Sequence, residues 1–153
     1  MRFLLLFVFA ATLLQAASAV LNCTAGALAA NGIMLFDFRA ASVEGWKIDK
    51  AALMLHLAEG AAPRTVRVSS VPRSWTEQDA ASAASALFRR PARFGAYRAT
   101  PAGQGWISVA LDPALVEALA SGRSFGLAID PAGAKIDGAR PIFTQPYLTA
   151  VSR

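Results

Sequence analysis

The chain has 153 residues, 55% of them hydrophobic and 16% charged, with a formal net charge of +5, one Cys and one His. That length suits a single domain, and the apolar fraction excludes an intrinsically disordered chain. One Cys and one His exclude an internal disulfide framework and a structural zinc site, and no metalloprotease, dinucleotide or P-loop motif is present, so no metal or cofactor is expected.

In chain order, Met1-Arg2 is a short basic start. Phe3 to Leu14 is an apolar run of twelve, followed by Gln15 and the small residues Ala16-Ala17-Ser18-Ala19. This is the layout of a secretory signal over residues 1–19, with cleavage after Ala19. Twelve residues are too few to span a bilayer, which takes about 20. Removing the signal leaves 134 residues and a charge of +4, with no stable membrane insertion after cleavage. The product is expected to be secreted, extracellular or periplasmic.

Residues 20–31 read as a flexible N-terminal tail carrying Cys23, and residues 32–153 as the folded domain. A lipidated Cys23 would want small residues before it, which Leu21-Asn22 do not supply. Asn22-Cys23-Thr24 fits the N-glycosylation pattern, but only a glycosylating host would use it. The alanine-rich composition, with Arg outnumbering Lys, suits a GC-rich bacterial gene.

From Ile33 onward, alternation of apolar and polar residues dominates. Ile33–Phe38 reads as a strand with Met34, Phe36 and Phe38 on one face, and Ala40 to Trp46 as a turn pivoting at Gly45. Ile48–Leu57 is a long strand, with Ala51, Leu53, Leu55 and Leu57 on one side and Lys50, Ala52, Met54 and His56 on the other. Glu59 to Pro63 breaks the pattern, and Thr65–Val71 resumes it with Val66 and Val68 inward. Ala80–Ala86 is a short helix or an ordered loop, after which Pro91 and Gly95 fragment the chain. Trp106–Leu111 is another strand. Asp112–Gly122 is the one clear helix, with Asp112 as cap, Pro113 in the first turn and Gly122 as the left-handed stop. Phe125–Ile129, a short Ile142–Thr144 and Pro146–Val151 close the fold. Six or seven strands with one brief helix predict an all-β protein, an antiparallel β-sandwich.

Several of these segments also follow a known order. Met34-Leu35-Phe36-Asp37-Phe38 and Ile48 to Leu55 come first. Val66-Arg67-Val68 with Ser74-Trp75-Thr76-Glu77 follows, then Gly105 to Val109, Gly126 to Ile129 and Pro146-Tyr147-Leu148. In order and spacing they resemble DNRLRE-type domains, which are related to disaggregatase-type carbohydrate-binding modules. That family has one or two strands before its first shared motif, where this chain has only Val20 to Asn31. The resemblance implies a jelly-roll-like sandwich on an extracellular protein. It would be non-catalytic and would bind polysaccharide or a cell-surface glycan, beside a co-secreted polysaccharide-degrading enzyme as a second partner. The alternative is a structural or adhesive surface protein without glycan specificity.

Sugar binding needs aromatic faces for stacking and planar polar groups for hydroxyls. Trp46, Trp75, Tyr97, Trp106 and Tyr147 supply the first, and Arg67, Arg98 and Glu77 the second. The binding set expected is Trp46, Trp75, Glu77, Arg67 and Tyr97, with Trp46 the most exposed. Glu77 also suits a backbone hydrogen bond that locks the Trp75 turn. Nothing singles out Glu77 and Asp79 as a glycosidase pair, and His56 lacks a recognisable triad motif. No catalytic residue is therefore assigned. Asp130 and Asp137 flank a Gly-containing loop that reads as a solvated hairpin, with calcium as the alternative. Arg89, Arg90, Arg93 and Arg98, interleaved with Phe88, Phe94 and Tyr97, could form a single-strand nucleic-acid platform, but export argues against it and no nucleic acid is expected.

Overall fold

A computed structural model describes residues 15–29, 32–80, 82, 94–138 and 143–153. Nine antiparallel strands are present among them: β1 (Ser18–Leu28), β2 (Met34–Phe38), β3 (Ile48–Glu59), β4 (Thr65–Ser70), β5 (Gly95–Gly103), β6 (Trp106–Leu111), β7 (Leu127–Asp130), β8 (Lys135–Asp137) and β9 (Tyr147–Ser152). One helix, α1 (Pro113–Ala120), follows β6. The strands run β6-β5-β4-β7-β2-β1-β9-β3, and β3 pairs back onto β6, so eight strands close into a barrel. Closure leaves no long open sheet edge, and side chains fill a barrel of this size. None of the described helices is long and apolar enough to cross a membrane.

The interior follows the period-two pattern. Leu21, Phe36, Leu53, Leu55, Val66, Val68, Ile107, Val109, Ile129 and Leu148 are all essentially inaccessible and form one core. Val116 and Leu119 of α1 join it. Asp112 caps that helix by accepting from the Ala114 amide at 2.9 Å, and Gly122 ends it at φ +75°. A second, smaller core lies outside the barrel, on the opposite faces of β2 and β7. There Leu35, Ala128 and Val71 pack with Ile33, Ala27 and Ala80, and Trp75 and Phe94 lie against them.

Of the segment read as a tail, residues 20–28 belong to the strand β1, which begins at Ser18, ahead of the expected cleavage point. Its first half pairs with β9 (Leu21 with Leu148) and its second with β2 (Gly26 with Phe36), so it sits inside the closed sheet. A register shift between Cys23 and Ala25 joins the halves. The inserted residue flips which side chains face inward: Ala19, Leu21 and Cys23 pack on the main core, whereas Ala27 packs on the outer one. Small residues suit the second half because Phe36 occupies the space. A Cβ on Gly26 would lie 2.9 Å from the Phe36 ring, and one on Gly138 would lie 2.6 Å from it.

Two further strands run where the sequence pattern gives none. β5 starts at Gly95, pairs with β4 over Gly95–Arg98 and turns to β6 from Ala99 onward. β8 occupies part of the loop between Asp130 and Asp137 and pairs with His56–Glu59 of β3, beyond the point where β9 ends. Phe143 and Thr144 form a turn, and Ile142, with most of Ala80–Ala86, lies outside the described residues.

Candidate functional site

The outward positions of β3, β6 and β9 are the ones left over once Leu53, Leu55, Ile107 and Leu148 face the core. At one end of this face, register puts Trp106 opposite His56, Tyr147 opposite Met54, and Asn22 opposite Tyr147. These residues therefore form a row across β6, β3, β9 and β1, about 14 Å long at the usual strand spacing. The rings are in contact. Trp106 and Tyr147 meet edge-to-face with centroids 5.3 Å apart, and Trp106 and His56 do so at 5.1 Å. Beside them an open cleft of about 320 Å³ is lined by Asn22, Cys23, Trp106, Phe143, Gln145 and Tyr147, among others. Phe143 stands 93% exposed.

The cleft offers aromatic rings and two side-chain amides, with no carboxylate among its lining residues. Rings stack on the C–H faces of a sugar and amides hydrogen-bond its hydroxyls. Cys23 is a poor nucleophile here: burial pushes its thiol up to about 11, against a weaker opposing effect of the Ala25 backbone. His56 is held at both ring nitrogens. Nδ1 lies 2.8 Å from Asp137 Oδ2, and Nε2 lies 3.1 Å from the Gln104 carbonyl oxygen.

The five residues expected to bind sugar do not converge. Trp46 is half-buried, not the exposed ring expected, because the turn Ala41–Val43 and α1 hold it against the main core. It lines a separate cleft of about 430 Å³ with Glu44, Lys47, Glu117 and Arg123. Trp75 packs on the outer core and donates its indole N–H to the Phe125 carbonyl at 2.9 Å. Arg67 points outward on β4, lies 3.5 Å from Asp130 and stands 5.4 Å over the Phe94 ring. Tyr97 packs on the main core, and burial, followed by the Asp112 charge, raises its hydroxyl above the usual value. Glu77 is exposed, while Asp79 makes the turn bonds, accepting from the Thr76 amide and hydroxyl.

Asp130 accepts from the Ala132 amide at 3.0 Å while Asp137 faces His56, so the two carboxylates of the supposed calcium loop serve different partners. No group of three or more metal-ligating side chains occurs among the described residues. Of the basic cluster, Arg89, Arg90 and Arg93 lie outside those residues, as does Phe88. Trp106 and Tyr147 were legible as candidate stacking residues from their type. What sequence could not show is that β3, lying between their strands, brings them together with His56. No protein-family model matches this chain, and no curated protein matches it.

Proposed function

We propose that this protein is an exported, non-catalytic module that binds a polysaccharide or cell-surface glycan in the cleft beside Trp106. The observation that carries this is the contact of Trp106 with Tyr147 at the mouth of an open cleft, with Phe143 exposed and Asn22 and Gln145 supplying amides. Aromatic and amide groups together match a polyhydroxylated ring better than an apolar or ionic ligand. The ordered motifs that resemble DNRLRE-type domains support the same reading. In it, β1 and β5 act as corner strands of a flattened, jelly-roll-like barrel, since each pairs with one group of strands along its first half and another along its second.

Affinity electrophoresis against a panel of soluble polysaccharides, and pull-down on insoluble ones, tests the proposal. Trp106→Ala should weaken retention roughly thirtyfold, the loss expected of a central aromatic anchor. Trp46→Ala and Trp75→Ala should leave binding unchanged if they fold. Failure of the unaltered protein to be retained on any glycan would overturn the proposal. The adhesive reading draws on a different observation, the exposure of Val20, Leu28 and Phe125 at 60%, 66% and 41%. It requires self-association in size-exclusion chromatography that is independent of glycan.

A further inference from the structure

The turn that delivers Trp106 to the cleft is strained. Gly103 and Trp106 pair across a two-residue connection, and both connecting residues have positive φ: Gln104 at 52° and Gly105 at 80°. Such a hairpin turn favours Asn-Gly, and a Gln in the left-handed region costs on the order of 1 kcal/mol. Two contacts to β3 hold it there. The Leu57 amide donates to the Gly105 carbonyl at 2.8 Å, and the Gln104 carbonyl oxygen faces His56 Nε2 at 3.1 Å. The fit is close, since a Cβ on Gly105 would lie 3.0 Å from that nitrogen.

Both His56 nitrogens face acceptors, a carboxylate at Nδ1 and a carbonyl at Nε2. A protonated imidazole donates to both. A neutral one has a single N–H, which the Asp137 carboxylate takes in preference, and the Nε2 lone pair then opposes the Gln104 oxygen. The residue after this turn is Trp106, whose ring already touches the imidazole edge-to-face. Among the described residues, the other charged groups beside His56 are Lys135 of β8 and Glu59 of its own strand, and these pair with each other. β6 and the turn present Trp106, Gln104 and Gly105.

We infer that His56 is a positioning residue for the glycan site: its proton fixes the Gln104–Gly105 turn and thereby the pose of Trp106, so that the site binds sugar more tightly in acid. This rests on the proposed glycan binding for its ligand, but the conformational half stands without it. The side chains of His56 and Asp137 are 21% and 27% exposed, so solvent can exchange the proton while the ring stays in its contacts.

Two measurements test it. In the unliganded protein, the indole N–H resonance of Trp106 and the amide of Gly105 should shift together across a pH series from acid to alkaline. His56→Gln should abolish the shift, and Asp137→Asn should displace or diminish it. For any polysaccharide retained by the unaltered protein, affinity should fall about fivefold over the same interval, the weight of one hydrogen bond, and His56→Gln should flatten that profile. Resonances of Trp106 that do not move with pH in the unaltered protein would overturn the inference even if glycan binds. Absence of glycan binding with the coupled shift intact would overturn the proposed function alone.

Discussion

Gly26 gives the most direct test of the packing argument, because its substitution by Ala has two opposing effects. Its φ is not in the left-handed region, so Ala fits the backbone, and the lost freedom of the unfolded chain would favour the variant by about 0.4–1 kcal/mol. Against this, the added Cβ would sit 2.9 Å from both Cδ1 and Cε1 of Phe36 and 3.2 Å from the Gly138 carbonyl oxygen. Phe36 is wholly buried in the main core, and Gly138 packs beside Gly26 on the same ring, so closely that a Cβ there would lie 2.6 Å from Phe36 Cζ. The ring has nowhere to retreat, so overpacking costs about 1–3 kcal/mol. The clash therefore wins, and Gly26→Ala should be less stable by about 1.5 kcal/mol, lowering Tm by roughly 5 °C. Chemical and thermal denaturation followed by circular dichroism measure it. Phe36→Leu should be destabilising alone, yet the double variant should be at least about 1 kcal/mol more stable than additivity predicts, because the smaller side chain leaves room for the new methyl. Gly26→Ala that is neutral or stabilising, or a strictly additive double variant, would refute the placement of β1 over Phe36.

Other expectations follow from the same structure. Asp112→Ala removes the cap of α1 and should cost about 1 kcal/mol, seen as a lower denaturation midpoint with an unchanged slope. The folded-state rise of the Cys23 thiol from 9.0 to about 11 means that the unfolded chain loses its proton first. Its contribution to stability is thus full below about pH 9 and is lost as pH climbs toward 11, and denaturation midpoints across that range should fall less in Cys23→Ala. At pH 8 the native thiol should react with iodoacetamide far more slowly than the same thiol in denaturant. Gly105→Ala should disturb the cleft at His56 and Trp106 while leaving the far end of the barrel unchanged, which amide chemical shifts would show.

Local patterning alone specifies the antiparallel β class and the long strands β3 and β6. In these, Ala51, Leu53 and Leu55, and Ile107, Val109 and Leu111, recur at every second position, so one face of each must be buried whatever the partner. It also specifies α1, because Asp112, Pro113 and Gly122 act locally through capping and backbone freedom. Tertiary structure decided the rest. β1 carries three Ala, a Gly and an Asn among its eleven residues, which interrupt the local strand pattern, and it is a strand because β9 and β2 give it partners. β5 carries Gly95 and Pro101, which punctuate the local pattern, and it gains its bonds from β4 and β6. The candidate site is likewise non-local. Asn22, His56, Trp106 and Tyr147 come from four strands, and only the register of the closed barrel sets them in one row. Register depends on how distant segments pair, so periodicity reveals which side chains face outward but leaves open which of them become neighbours.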